Sequence, residues 1–193
     1  MTNKAIFLDI DGVLNCYSHN PLYRSKSRCG ACIGIDKDKT QKLSKIIKST
    51  KADLILSSSW KVGWEPYHNY TEPHAKYLDN HLRKKGNLFC KDKTREKNLW
   101  ERGLGIKAYL IQHPEYTNWI ILDDELFKDF ITYNMLSHFL KVNHEYGLTD
   151  KDVEIAIKML NGELIGPYGL DEYDNEIVSE KTAGPSNTKG KGI

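Results

Sequence analysis

The sequence predicts an open, doubly wound α/β fold, on two observations. Three short apolar runs, Ile6-Phe7-Leu8, Leu54-Ile55-Leu56 and Trp119-Ile120-Ile121-Leu122, each stop abruptly at polar residues. Runs without alternation suit strands buried on both faces of a parallel sheet. Between them lie segments whose apolar residues recur at helical spacing, and strand-helix-strand order implies right-handed crossovers between parallel neighbours. Ligands of such sheets bind at the carboxyl ends of the strands.

Taken in order, the first strand is Ile6-Phe7-Leu8, and a first helix beginning near Asp36 or Asp38 presents Leu43, Ile46 and Ile47. After the strand at Leu54-Ile55-Leu56, a second helix carries Leu78 and Leu82, with Thr71 as N-cap and Gly86 as stop. A third spans about Arg102 to His113, with Ile106, Tyr109 and Leu110 on one side, and Pro114 ends it before the strand at Trp119. Phe139-Leu140-Lys141-Val142 reads as a further strand. Thr149 and Asp152 then resemble a capping box for a helix through Val153, Ile157 and Leu160, stopped at Gly162. Beyond about Glu163 the chain turns rich in Gly, Pro, Ser and Lys, too polar to offset its ordering entropy by burial. The expected organisation is one domain over residues 1–162 and a flexible tail over 163–193.

With 193 residues, 39% of them hydrophobic, the chain can bury one sizeable core. Lys and Arg total 28 against 26 Asp and Glu, so any basic surface must be local. The N-terminal apolar run is shorter than a signal h-region, and no stretch approaches the roughly 20 apolar residues of a membrane span. A soluble, cytoplasmic protein with no membrane partner is expected. Four cysteines in that setting read as reduced thiols or metal ligands. Cys29-Gly30-Ala31-Cys32 has the spacing of half a zinc site, which Cys16, His19 or Cys90 would complete.

The chemistry gathers at strand ends. Asp9-Ile10-Asp11-Gly12 follows the first strand, so two carboxylates emerge at the ligand edge beside a glycine that lets the backbone turn. One carboxylate can attack phosphorus while the other protonates the leaving oxygen and later activates water. Position twelve counted from Asp9 is Asn20 rather than Glu, which argues against a calcium loop. Asp123-Asp124 ends another strand, and with Asp9 it makes an oxygen-rich site of the kind magnesium prefers. Ser57-Ser58-Ser59 offers hydroxyl and N–H groups to a phosphoryl oxygen. For the cation that would meet charge on the transferred group, both Arg102 and Lys107 lie about one helix length before Asp123.

The ordered set Phe7-Leu8-Asp9-Ile10-Asp11-Gly12-Val13-Leu14-Asn15, Ile55-Leu56-Ser57-Ser58-Ser59-Trp60, Arg102-Gly103 with Ile106, and Ile120-Ile121-Leu122-Asp123-Asp124 resembles the haloacid-dehalogenase (HAD) superfamily. Ser57-Ser58-Ser59-Trp60 and the late Gly147-Leu148-Thr149 narrow the resemblance to the phosphatase-type domains of "Swiss Army knife" RNA-repair proteins and small stand-alone relatives. It covers about residues 4 to 162. It implies a Rossmann-like sheet and a Mg2+-dependent phosphatase. In that reading Asp9 is nucleophile and metal ligand, and Asp11 is general acid/base with its backbone carbonyl on the metal. Ser58 becomes the phosphate binder with Ser57 the alternate, Arg102 or Lys107 the third-motif cation, and Asp123 with Asp124 the acidic metal motif.

Family members often carry a cap domain after the first or second motif. Here the intervals from Cys16 to Asp36 and from Trp60 to Thr94 leave room for a small flap only, so an open site is expected, able to admit the end of a large substrate. Arg83, Lys84, Lys85, Lys91, Lys93, Arg95 and Lys97 would steer a nucleic-acid backbone toward it. The expected partner is a phosphorylated substrate, a nucleotide or nucleic-acid end. A non-catalytic phosphate- or nucleic-acid-binding module and a phosphotransferase are the competing readings.

Overall fold

The hydrophobic pattern of the first strand decides the architecture. In β1 (Asn3–Leu8) all four residues from Ala5 to Leu8 are buried, so the strand must be central and covered on both faces. The computed structural model describes residues 3–16, 34–95, 97 and 100–182. The other elements are α1 (Lys37–Thr50), β2 (Asp53–Leu56), β3 (Trp64–Glu65), β4 (Asn69–Tyr70), α2 (Pro73–Gly86), β5 (Cys90–Lys93), α3 (Arg102–Gln112), β6 (Tyr116–Asp123), α4 (Lys128–Thr132), β7 (Phe139–Lys141), α5 (Asp150–Leu160) and α6 (Glu172–Thr182). Five strands form one parallel sheet in the order β5-β2-β1-β6-β7, and β3 with β4 make a short antiparallel hairpin.

Strand alternation divides the core into two layers. Ile6, Leu8, Leu54, Leu56, Ile120 and Leu122 face α1, α2 and α5, meeting Leu43, Ile46, Leu78, Leu82, Val153 and Leu160. Ala5, Phe7, Ile55, Ile121 and Phe139 point the other way, against Ile106 and Tyr109 of α3 and Phe130 of α4. The chain winds outward from β1 through β2 to β5, then crosses back to β6 beside β1. That reversal leaves a crevice at the carboxyl ends of β1 and β6, the ligand position of a Rossmann-like sheet.

The expected elements form, with corrections at their ends. Asp36 caps α1, its carboxylate accepting from Asp38 N–H at 2.7 Å. The Thr149/Asp152 capping box is present in full on α5. Thr71 does not cap α2: its N–H donates to Gly63 C=O at 2.9 Å to close the β3–β4 hairpin, and the helix starts at Pro73, whose fixed φ suits the first turn. Gly86 is the last helical residue, and Asn87 takes the left-handed cap at φ 53°. β5, Cys-Lys-Asp-Lys, carries no apolar run because it is an edge strand.

Residues 163–182 also depart from the expected tail. Tyr168 bridges the open edge of β7, with Lys141 N–H donating to Tyr168 C=O at 2.9 Å and Tyr168 N–H to Phe139 C=O at 3.1 Å. The Lys141 ammonium pairs with Asp171 at 2.8 Å and with Asp174 at the start of α6. Leu164 and Tyr168 pack on one core layer and Leu170 and Val178 on the other. The segment's polar average concealed these four residues, and an unpaired strand edge supplied the reason to dock. Residues 183–193 lie outside the described residues. No helix among the described residues is long and apolar enough to cross a membrane.

Truncation after Gly162 should therefore lower the melting temperature. The apolar contacts and the Lys141 pairs lost correspond to a fall of about 5–10 °C, read by thermal denaturation of both lengths.

Candidate active site

Asp9 continues the ladder of β1, its N–H donating to Leu122 C=O at 2.9 Å, and Asp123 closes the neighbouring strand β6. Two adjacent strands thus deliver two carboxylates to one point, 2% and 1% exposed respectively. Asp124 joins them: one oxygen from each of Asp9, Asp123 and Asp124 lies within 4.8 Å of the others. Gly12 makes this approach possible. It sits at φ +71°, and a Cβ there would lie 2.2 Å from an Asp124 carboxylate oxygen.

Arg102, the first residue of α3, reaches into the group. Its Nη1 lies 2.6 Å from Asp9 Oδ1 and donates to Asp123 Oδ2 at 2.5 Å. The contact to Asp9 Oδ1 lacks hydrogen-bond alignment, which leaves that buried oxygen close to a positive charge without a donor of its own. The guanidinium lies 4.6 Å from the centre of the Phe127 ring. Asp129 of α4 fixes the start of α3 by accepting from Leu104 N–H at 2.9 Å, and Gly103 keeps the two helices close, since a Cβ there would meet the Asp129 backbone at 2.9 Å.

Burial dominates the electrostatics. It pushes the Asp9 carboxyl above the usual range, against the pull of Arg102 and a hydrogen bond from Ser58. It raises Asp123 well above that range, again against Arg102. Burial and then the Asp9 charge bring Asp124 to about 6. For Arg102 burial works against the charge, but Asp123 and Asp9 outweigh it and hold the guanidinium firmly protonated. Three carboxylates against one guanidinium leave a deficit of positive charge. Hard oxygen donors converging from two buried residues and one partly buried one fit a magnesium ion.

Asp11 turns its carboxylate elsewhere. Oδ2 accepts from Trp60 Nε1–H at 2.9 Å and Oδ1 from Asn15 Nδ2–H at 2.8 Å, so its side chain is not part of the carboxylate cluster. Ser57 N–H donates to Leu8 C=O at 2.9 Å, which sets the serines beside Asp9. Ser57 Oγ is buried without a hydrogen bond, and Ser58 caps the 3-10 turn Ser59–Lys61. Of the two candidate cations, Arg102 is at the site. Lys107 is exposed, with Nζ 4.5 Å over the Tyr133 ring. Five residues along α3 rotate it about 140° around the helix and carry it more than a turn from the carboxylates.

Only part of the basic segment shares this edge. Arg83, Lys84 and Lys85 form the last turn of α2, which leads directly into the amino end of β5, at the opposite edge of the sheet. Basic residues there complement the helix dipole. Lys91 pairs with Asp53 at 2.7 Å and Lys93 with Glu65 at 2.8 Å. Arg95 and Lys97, which follow the carboxyl end of β5, are exposed. Cys16 and Cys90 are buried, burial pushing the Cys90 thiol up to about 12. Neither joins a metal-ligand cluster among the described residues, and His19, Cys29 and Cys32 lie outside them.

Four residues that shape the site escaped sequence reasoning: Asn15, Trp60 in its hydrogen-bonding role, Phe127 and Asp129. Trp60 and Asn15 stand inside recognised motifs, whereas nothing in the pattern around Phe127 and Asp129 marks them.

A family model described as "HAD domain in Swiss Army Knife RNA repair proteins" matches residues 5–153. No curated protein and no solved structure gives a significant match.

The Asp124 carboxyl, raised from 3.8 to about 6, contributes stability that is present below pH 4 and lost as the pH rises through 6, because the folded chain resists its ionisation. Asp124→Asn should leave the melting temperature of chelator-treated protein near pH 4 unchanged and raise it by about 2–4 °C at pH 8.

Proposed function

Because the chain belongs to the family of HAD domains in Swiss Army Knife RNA repair proteins, we propose that it is a Mg2+-dependent phosphomonoester hydrolase working through an aspartyl-phosphate on Asp9. The observation that carries this reading is the Asp9 carboxylate itself: buried at the end of β1, one oxygen without a hydrogen bond, faced by Arg102 and flanked by Asp123 and Asp124. A nucleophilic oxygen needs a free lone pair, and the phosphate it attacks needs positive charge around it.

In the first half-reaction an Asp9 oxygen attacks phosphorus, the bond from phosphorus to the ester oxygen breaks, and Asp11 gives its proton to the departing oxygen. In the second, Asp11 takes a proton from water as the water oxygen attacks phosphorus. The bond to Asp9 then breaks, phosphate leaves, and both residues return to their starting states. Arg102 meets the charge on the transferred group, and Ser58, with Ser57 as alternate, donates to its oxygens. Asp9, Asp123 and Asp124, with the Asp11 backbone carbonyl, would hold a magnesium ion, which would supply the charge that admits a phosphate dianion beside three carboxylates.

The substrate we favour is a nucleotide or nucleic-acid terminal phosphate. Two observations support it. The interval from Trp60 to Thr94 is used by one small hairpin and the α2 crossover, leaving no cap domain there. Arg95 and Lys97 are exposed after the carboxyl end of β5, and the rings of Tyr67 and Trp100 are 98% and 85% exposed, a mixture that suits backbone charge and base stacking.

Phosphate release should be measured on nucleotides and on 3′- and 5′-phosphorylated oligonucleotides, with and without magnesium. Magnesium-dependent turnover is expected, lowered by at least about 10³-fold in Asp9→Asn. Phosphate or oligonucleotide binding without product would indicate a binding module, and yield that rises with an added alcohol acceptor a phosphotransferase. In the same assay Arg102→Ala should cost about 10²-fold and Lys107→Ala less than about twofold, and activity on oligonucleotides should fall with added salt.

A further inference from the structure

We infer that Trp60 is a positioning residue for Asp11, aiming the proton of the general acid/base at the leaving oxygen; this rests on the phosphohydrolase reading above. The indole Nε1–H meets Asp11 Oδ2 at 2.9 Å, and Asn15 Nδ2–H meets Oδ1 at 2.8 Å. The Asn15 amide has its orientation set by Gly12 N–H, which donates to Asn15 Oδ1 at 2.8 Å and so turns the NH2 end to Asp11. Each carboxylate oxygen of Asp11 thus carries one donor. Neither an indole N–H nor an amide NH2 can accept a proton. When Asp11 is protonated, its proton must therefore occupy a lone pair directed away from Trp60 and Asn15. Asp11 is only partly buried, so its carboxyl is not sealed off from the solvent.

Trp60 is itself held from three sides. It is 3% exposed and packs in the core, and its ring meets His74 edge-on at 5.8 Å and Tyr77 at 6.3 Å, both on α2. Its backbone lies in the 3-10 turn that Ser58 caps, with Trp60 N–H 3.4 Å from Ser58 Oγ. The turn carrying the phosphate-binding serines and the ring orienting the acid are one rigid unit. A phosphate seated on Ser58 is thereby in register with the proton of Asp11.

Trp60→Phe keeps the packing and removes the donor. Its test compares an aryl phosphate whose leaving group is stable as the anion with an alkyl or nucleoside phosphate whose leaving group needs a proton. The expected result is a loss in kcat of at least about tenfold for the alkyl ester and less than about threefold for the aryl ester, with KM little changed. In an Asp11→Asn background the same substitution should add no further discrimination between the two esters. Equal losses on both esters, or no loss on either, overturn the inference while leaving the hydrolase reading intact. Absence of turnover by the unsubstituted protein on both esters overturns the two together. The indole N–H resonance of Trp60 gives a readout that needs no activity: it should move in Asp11→Ala, and an unmoved signal overturns the contact.

Discussion

Three carboxylates converge at the end of a parallel sheet, two of them almost wholly out of water, with a single guanidinium among them. Burying like charges this closely costs free energy that Arg102 offsets only in part, as the raised proton affinities of Asp9, Asp123 and Asp124 record. The rest of the molecule is arranged to hold this unfavourable cluster in place. The β1–β6 pairing brings Asp9 and Asp123 together and cannot be relaxed without breaking the centre of the sheet. Gly12 removes the side chain that would keep Asp124 out.

Arg102 is placed with comparable care by elements on the far face. Asp129 holds the first turn of α3, Gly103 permits the close crossing of α4, and Phe127 supports the guanidinium. In the proposed reaction a charge placed this rigidly would lose little entropy when a phosphate arrives, which is how preorganised electrostatics lower a barrier. On the other face α2 plays the matching part, through Trp60, for Asp11. In the proposed reaction the two helical layers would therefore each support a different half of the chemistry, the charge and the proton.

The sheet edges follow a separate logic. β7 would expose its backbone groups, and the chain after Gly162 returns to cover them, tied by Tyr168 and the Lys141 pairs. At the other edge β5 is polar and its lysines are bound in ion pairs. The basic turn at the end of α2 lies toward the amino ends of the strands, whereas the exposed Arg95 and Lys97 follow the carboxyl end of β5.

What the sequence determined by itself was whatever depends on local pattern. Uninterrupted apolar runs identified β1, β2 and β6, helical spacing identified α1, α2, α3 and α5, and the acids at strand ends named Asp9, Asp11, Asp123 and Asp124, because a side chain's position along a strand follows from its period. Short polar elements such as β5, the β3–β4 hairpin and α6 left no such signal, their stability coming from partners distant in the chain. The choice of Arg102 over Lys107 turned on rotation about α3, which residue type does not encode. The Trp60 donor on Asp11 and the support of Arg102 by Phe127 and Asp129 were decided by tertiary structure alone, since these contacts join residues that only the packed sheet brings within reach.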